Sequence, residues 1–383
     1  MRIAFYAPMK APNDPVPSGD RTMALLLIRA LRLAGHEVEL ASTFRSWDGQ
    51  GDPERQRRLA LLGARLAARA LKRLRARQAR PELWFTYHVY HKAPDHLGPF
   101  LSKAMGIPYA IAEASSAQKQ ATGRWAPGWR SSVAAIAGAD LVLGLNPADD
   151  DGVVPLLPDP RRLYRLAPFL DVRPFAAAAA DRKRQRDALA KQYLLDPAVP
   201  WLLSVAMMRP GDKLASFQLL AEALAPLTDR RWQWLIVGDG PAAAAVRAAI
   251  APLGSRVTCL GELGRCSLPA IYAASDLYVW PAIGEAWGMS LLEAQAAALP
   301  VVAGNVGGVA AVVADGETGV LVRARDTAAL TLAVERLLDD PPRQVGMRKA
   351  ASQRVASHHD LRAAAGSLNA ALGSLSAMSG WCG

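Results

Sequence analysis

The chain has 383 residues, 51% of them apolar and 21% charged, which is enough length for two domains and enough apolar surface for two cores, and excludes a disordered or low-complexity polymer. Its formal charge of +11 favours an anionic partner, whether a phosphorylated substrate, a membrane surface or nucleic acid. Three cysteines, Cys259, Cys266 and Cys382, form no CxxC pair, which argues against a disulfide framework or a structural zinc site and for a reducing compartment. In chain order, short apolar runs at 2–7, 37–41, 83–86, 109–112, 141–145 and 163–167 predict strands. Helical patterns lie between them at 22–33, 94–105 and 127–137, each ending at or near a glycine. The alternation predicts a parallel sheet covered by helices on both faces, in a domain spanning 1–171. Residues 54–80 carry ten basic side chains and one acid, with Leu59, Leu62, Leu66, Ala70 and Leu74 at helical spacing. This pattern suits either a membrane-surface helix or a core-packed helix with a solvated face.

An alanine run and a charged stretch place a linker at 172–198, after which the alternation resumes. Strands are predicted at 201–206, 233–237, 257–260, 277–280, 300–303 and 320–322, with helices at 214–227, 242–251, 268–274, 290–298 and 327–338. The second domain is thus expected over 199–357, with a helix and tail at 358–383 able to pack back on the first. Residues 1–7 read as a strand with one charge, so no signal peptide is expected. The uncharged stretch 294–314 is broken by Pro300, Gly304, Asn305, Gly307 and Gly308, so no membrane span is expected there. Two doubly wound sheets bind ligands at the carboxyl ends of their strands, and the expected site is the cleft between the two domains.

The densest chemical cluster is Gly284-Glu285-Ala286-Trp287-Gly288-Met289-Ser290-Leu291-Leu292-Glu293, where a loop after a strand opens a helix. Two carboxylates eight positions apart can grip different parts of one ligand, and the amides of Gly288 to Leu291 at a helix start favour a phosphate. Arg209 and Lys213 stand four positions apart after another strand; a bidentate guanidinium and a compact ammonium suit a pyrophosphate. Asp149-Asp150-Asp151 contains an Asp-x-Asp pair, but Asn146-Pro147 before it reads as a helix cap and first helical residue, so the acids are expected to serve a helix start and no metal is called for. Gly238-x-Gly240 lacks the third glycine of a dinucleotide fingerprint and fits a tight turn ended by Pro241.

Arg209 and Lys213, Leu235-Ile236-Val237-Gly238-Asp239-Gly240-Pro241, Leu260-Gly261, Tyr272 to Asp276, Glu285 and Glu293, Gly307-Gly308 and Asp315 to Gly319 together resemble the ordered signature of retaining glycosyltransferase family 4, the glycosyl transferases group 1, whose members have the GT-B fold. The amino half resembles it through Gly19 opening a helix, Gly35 to Val38, Gly106-Ile107-Pro108 and Ala139 to Val142. The resemblance implies two Rossmann-like domains facing a cleft, and metal-independent transfer of a hexose from a nucleotide sugar such as UDP- or GDP-hexose, with no cofactor. Carried over by position, Arg209 and Lys213 would hold the diphosphate, Glu293 the ribose, and Glu285 the sugar hydroxyls. Gly288, Met289, Ser290 and Leu291 would line the donor, Gly261 and Leu263 would lie near the base, and Gly19 would admit the donor phosphates. The histidine that the family often places after Gly-Ile-Pro is missing, since the matching stretch is Ala112-Glu113-Ala114-Ser115-Ser116; His88, His91 and Glu113 are the candidate contacts to sugar or acceptor. The glycine often found before the arginine is Met207 or Met208, and Ala311 stands for a glutamate.

The expected function is therefore hexosyl transfer to a glycan or lipid-linked acceptor in bacterial envelope polysaccharide, lipopolysaccharide or glycolipid synthesis. The expected location is the cytoplasm or the inner face of its membrane, with residues 54–80 as the anionic-membrane contact. Rival readings are a nucleotide-sugar epimerase or phosphorylase of the same fold, and a binding protein for nucleotide sugar or nucleic acid without turnover. The first lacks a cofactor lysine or a distinct hydrolytic base. Against the second stand both retained glutamates and the absence of interleaved aromatics in 54–80.

Overall fold

A computed structural model describes residues 1–16, 18–285 and 288–378. Trp381 and Cys382, and Ala286 and Trp287 within the central motif, lie outside the described residues. The chain forms two compact units: Met1–Ala167 together with the chain from Leu361 onward, and Pro168–Asp360.

The first unit runs β1 (Arg2–Tyr6), α1 (Gly19–Leu33), β2 (Glu37–Ser42), α2 (Pro53–Arg75), β3 (Leu83–Val89), α3 (Gly98–Met105), β4 (Tyr109–Ala114), α4 (Ala126–Ala137), β5 (Leu141–Gly144), α5 (Asp150–Val153) and β6 (Leu163–Arg165). Its six strands pair in parallel in the order β2-β1-β3-β4-β5-β6. Helices cover both faces of such a sheet, so its central strands are buried on both sides: Leu83, Trp84 and Phe85 are fully buried, as is Thr86, whose hydroxyl is satisfied by Trp84 and Asp95. Ser18 starts α1 by accepting the Arg21 amide at 3.2 Å. The helix predicted at 94–105 begins only at Gly98, because the Asp95 carboxylate accepts the amides of Leu97 and Gly98 at 2.7 and 2.8 Å and caps it there.

The second unit runs α6 (Arg173–Ala180), α7 (Arg182–Tyr193), β7 (Trp201–Val205), α8 (Asp212–Leu224), β8 (Gln233–Val237), α9 (Ala243–Ile250), β9 (Val257–Gly261), α10 (Leu268–Ala274), β10 (Leu277–Trp280), α11 (Met289–Ala296), β11 (Val301–Asn305), α12 (Val309–Val312), β12 (Gly319–Arg323), α13 (Thr327–Leu338) and α14 (Pro341–His358). The sheet is again parallel, in the order β12-β11-β10-β7-β8-β9. Trp201, Trp234 and Trp280 fill its core. Residues 172–198, read as a linker, instead carry α6 and α7, which pack on α10 within this unit. The anchor of α7 is Asp276, which accepts Arg182 at 2.6 Å, Arg186 at 2.9 Å and the Trp201 amide at 2.8 Å, with Arg348 of α14 at 3.6 Å, while α6 sets Phe175 edge-on to Tyr272 at 6.0 Å. Burial pulls the Arg348 guanidinium down to about 10 and lowers that of Arg182.

The last helix, α15 (Leu361–Met378), belongs to the first unit and lies against α1 and β5. In α2, Gly63, Ala67 and Leu74 are buried and Leu59, Leu66 and Ala70 half-buried, while Leu61 and Leu62 are 63% and 45% exposed. Its main apolar face is thus spent on the core of the first unit. Leu62, expected on that face, points to solvent instead. Among the described residues no helix is long and apolar enough to cross a membrane.

Candidate functional site

In the second unit, Arg209 follows β7 and Lys213 falls in the first turn of α8. The loop carrying Arg209 is held by backbone: Ala206 donates to the Val237 carbonyl at 3.0 Å, Met208 to Asp239 at 2.9 Å, and Ala242 to Met208 at 2.9 Å. A Cβ on Gly238 or Gly240 would collide with the carbonyls of Ala206 and Met208, so this glycine pair serves close approach of two loops. Met208 is buried beneath the loop and Met207 is 55% exposed beside Arg209. Arg209 itself is exposed and makes no ion pair among the described residues.

Lys213 is occupied. Its ammonium forms an ion pair with Glu285 and lies 5.4 Å from the centroid of the Trp280 ring, while the Trp280 indole N–H donates to the same Glu285 oxygen at 3.4 Å. Glu285 is thus held by partners from two elements, and its side chain is 17% exposed. Gly284, at φ +64°, lies where a Cβ would strike Asp212 of α8, which lets the Glu285 loop close down on that helix.

Glu293 lies on α11 and accepts the Tyr272 hydroxyl at 2.9 Å; burial pushes its carboxyl above the usual range. The Tyr278 hydroxyl bonds the Ser290 side chain and sits 3.3 Å from the Val205 carbonyl, tying the start of α11 to the end of β7. Gly288, at φ +73°, caps α11 and its carbonyl accepts the amides of Leu291 and Leu292 at 2.8 and 3.2 Å. The Leu291 amide is therefore committed, and the first-turn amides a helix leaves open are those of Met289 and Ser290. Gly261, at φ +70°, ends β9 and accepts the Gly238 amide at 2.8 Å; Leu263 packs half-buried on the core, so its loop is anchored by its side chain. Glu285 and Glu293 have separate partners, Lys213 and Trp280 for the first and Tyr272 for the second.

In the first unit, a polar group gathers at the carboxyl ends of β3 and β4. Tyr87 pairs with Ala112 and Val89 with Ala114, so His88 and Glu113 fall opposite each other, and both leave the strand conformation at φ +64° and +62°. The His88 Nδ1 lies 2.9 Å from Asp20 Oδ1, and its ring stacks on Tyr90 at 4.8 Å. Burial works against its charged form, but Glu113 and Asp20 outweigh that and raise the imidazole above its ordinary value. Glu113 is raised chiefly by burial, with Asp20 and Asp149 adding repulsion, and its Oε2 is buried without a hydrogen-bond partner. Tyr87 and His88 face this carboxyl. Asp149 bonds the side chains of Ser115 and Asn146, and Asn146 also caps its turn by accepting the Ala148 amide at 3.1 Å. Asp150 is paired with Arg165. His91 stands apart, edge-on to Trp125 at 5.2 Å; burial, with Lys92 and Lys119 nearby, lowers its pKa. At Gly19, whose helix Ser18 caps, a Cβ would meet nothing within 4 Å, so no neighbour in this unit demands a glycine there.

Sequence reasoning did not single out Asp20, Tyr87 or Tyr272 in these roles. Only the Asp20 position beside Gly19 carried any signal, because the partners lie 68 and 21 residues apart.

Residues 199–340 match the family model for glycosyl transferases group 1. An alpha-D-kanosaminyltransferase of Streptomyces kanamyceticus is 33% identical over 187 residues, 48% of each chain. A D-inositol 3-phosphate glycosyltransferase of Mycobacterium sp. (strain KMS) is 33% identical over 207 residues, 52% of this chain and 44% of that one. The chain thus spans about half the length of the curated relatives it matches. A glycosyltransferase from Rickettsia africae superposes with a TM-score of 0.75 at 16% identity, covering 98% of both chains. Anabaena HepE, solved with UDP and glucose, gives 0.70 at 17%, covering 97% of this chain and 99% of that one. The fold is GT-B, two Rossmann-like units each built on a parallel sheet.

Proposed function

We propose that this chain, similar through residues 199–340 to the glycosyl transferases group 1, moves a hexose from a nucleotide sugar to a glycan or lipid-linked acceptor with retention of configuration and without a metal. The observation that carries the reading is the set Arg209, Lys213, Glu285 and Glu293, on the loops after β7 and β10 and the helices α8 and α11 that follow them, inside the matched segment.

The chemistry follows from charge. In the free protein Lys213 is neutralised by Glu285. An arriving diphosphate takes the ammonium, adds Arg209 and accepts the amides of Met289 and Ser290. Glu285, released, accepts hydroxyls of the sugar, and Glu293 those of the ribose. As the glycosyl–oxygen bond breaks, negative charge grows on the departing diphosphate, and the two cations and the helix start stabilise it where it forms. The loop from Gly261 to Leu263, in the same unit, is proposed to face the base.

Binding of UDP and GDP by calorimetry, followed by NMR assignment of the product anomer, tests this. Micromolar binding that Lys213→Ala weakens, and an anomer matching the donor, are expected; an inverted product or no nucleotide binding would remove the reading.

The acceptor is proposed to be an envelope glycan or glycolipid, handled in the cytoplasm at the inner membrane face. The exposed arginines of α2, with Leu61 and Leu62 between them, support an electrostatic contact there.

A further inference from the structure

We infer that the Glu113 end of the first sheet receives a protonated amine carried on a sugar substrate. This rests on the glycosyl-transfer reading and adds to it the chemical class of one substrate.

The starting observation is a half-satisfied carboxyl group. Glu113 is hydrogen-bonded by Tyr87 and faced by His88, yet its Oε2 is buried without a partner. Leaving such a group unpaired costs on the order of 1–3 kcal/mol, more for a charged one. A ligand that supplies a donor there recovers that cost. The backbone is also bent to deliver this side chain, since Glu113 and its cross-strand neighbour His88 both adopt a left-handed conformation that non-glycine residues rarely adopt.

Charge then selects the donor. The groups around His88 are three carboxylates, Asp20, Glu113 and Asp149; Lys10 acts on Asp20, and Arg165, beside Gly144, is already paired with Asp150 on the cavity wall. A phosphate would meet repulsion from all three acids. A hydroxyl could donate once to Glu113 but would bring no charge to carboxyls already crowded by one another. An ammonium brings both a positive charge and three donors, enough to serve Glu113 and Asp149 together. Space sets a limit: the cavity lined by Glu113, Gly144, Asn146, Asp149 and Asp150 has a volume of about 10 Å³, the lower bound for one water-sized group and far too small for a ring. The sugar ring therefore stays outside and only its substituent enters.

The amine can belong to the transferred sugar or to the acceptor, and calorimetry with two arms separates them. The first compares UDP-glucosamine with UDP-glucose. The second compares glucosamine with glucose and glucose 6-phosphate, with and without saturating UDP. An amine preference of about tenfold is expected in one arm, naming the source, and Glu113→Gln should abolish it while UDP affinity stays. Asp149→Asn reads the same effect should Glu113→Gln fail to fold. Equal affinities in both arms, a preference that survives both substitutions, or tighter binding of glucose 6-phosphate would overturn the inference. Failure to bind UDP would instead remove the functional reading, and the arm without UDP still reports on the amine.

Discussion

Lys213 and Glu285 are 72 residues apart in sequence and form one ion pair against the Trp280 ring. Each is the other's competitor for a ligand. A diphosphate must displace the carboxylate to reach the ammonium, and a sugar hydroxyl must wait for the carboxylate to be displaced.

Removing one member should therefore separate binding from turnover. Glu285→Ala is expected to raise UDP affinity a few-fold, because Lys213 is freed, while transfer from the intact donor falls. Lys213→Ala should lower kcat by about 100- to 1000-fold, the loss typical of one group that stabilises a departing charge. Calorimetry and steady-state kinetics on the two variants check this, and a weaker UDP complex in Glu285→Ala would contradict it.

Glu293 and Tyr272 form a second unit of function. Glu293→Ala should weaken even the sugar-free nucleoside diphosphate. Tyr272→Phe, which removes the 2.9 Å hydroxyl donor, should weaken it by at most about 100-fold, the upper worth of one hydrogen bond to a charged group. If the two effects are independent in the double variant, the tyrosine does not act through the glutamate.

The role of Asp276 is structural, and its removal should be felt in stability rather than in nucleotide affinity. Asp276→Ala leaves Arg182, Arg186 and Arg348 converging on no carboxylate. Stranding buried charge of this kind costs about 3–5 kcal/mol, which in a domain of this size lowers Tm by roughly 10 °C. Thermal denaturation would measure it, and an unchanged Tm would show the arginines find other acceptors.

A pH dependence is expected from His359. Its Nδ1 bonds the Pro168 carbonyl at 2.7 Å, its Nε2 is buried without a partner, and burial holds its pKa below the ordinary 6.5. The unfolded chain therefore binds the proton more readily, so stability is complete above pH 6.5 and is lost as pH falls toward the folded value. His36, His91 and His96 are shifted the same way. His359→Asn, which keeps a donor near Pro168, should flatten the decline in Tm between about pH 6.5 and 5; an unaltered slope would assign the effect to the other three.

For α2, replacing Arg69, Lys72, Arg73 and Arg77 with Gln should release the protein from anionic vesicles without changing UDP affinity. Each surface-adjacent cation contributes about 1 kcal/mol, and salt should weaken the binding steeply. Arg73 and Arg77 are partly engaged, with the Ala41 carbonyl and with Glu39, which limits how many cations face a membrane. Equal binding to neutral and anionic vesicles would make the helix a solvated face only.

The strands were legible because buried parallel strands are unbroken apolar runs; Leu277–Trp280 and Gln233–Val237 fall at the predicted limits. The helices α6 and α7 were not, because an alanine run and a charged stretch show no apolar stripe; what holds α7 is the half-buried Asp276, and what holds α6 is Phe175 against Tyr272. The spacing of Glu285 and Glu293 was visible in a single loop and helix. Their actual partners, Lys213 and Tyr272, come from other elements, and no local pattern records such pairings. The same holds for His88 with Asp20, where only the tertiary fold brings a strand end to a helix start.

The placement of α15 sets an order of assembly. The segment Pro168–Asp360 is continuous, so that unit has its whole sequence once residue 360 has emerged from the ribosome. The unit begun first is completed last, since Leu368, Ala371 and Leu372 of α15 are buried within it and α15 lies against α1. Until translation reaches that helix, the nascent amino-terminal half carries an uncovered apolar seam, a stretch of synthesis during which a chaperone has something to hold.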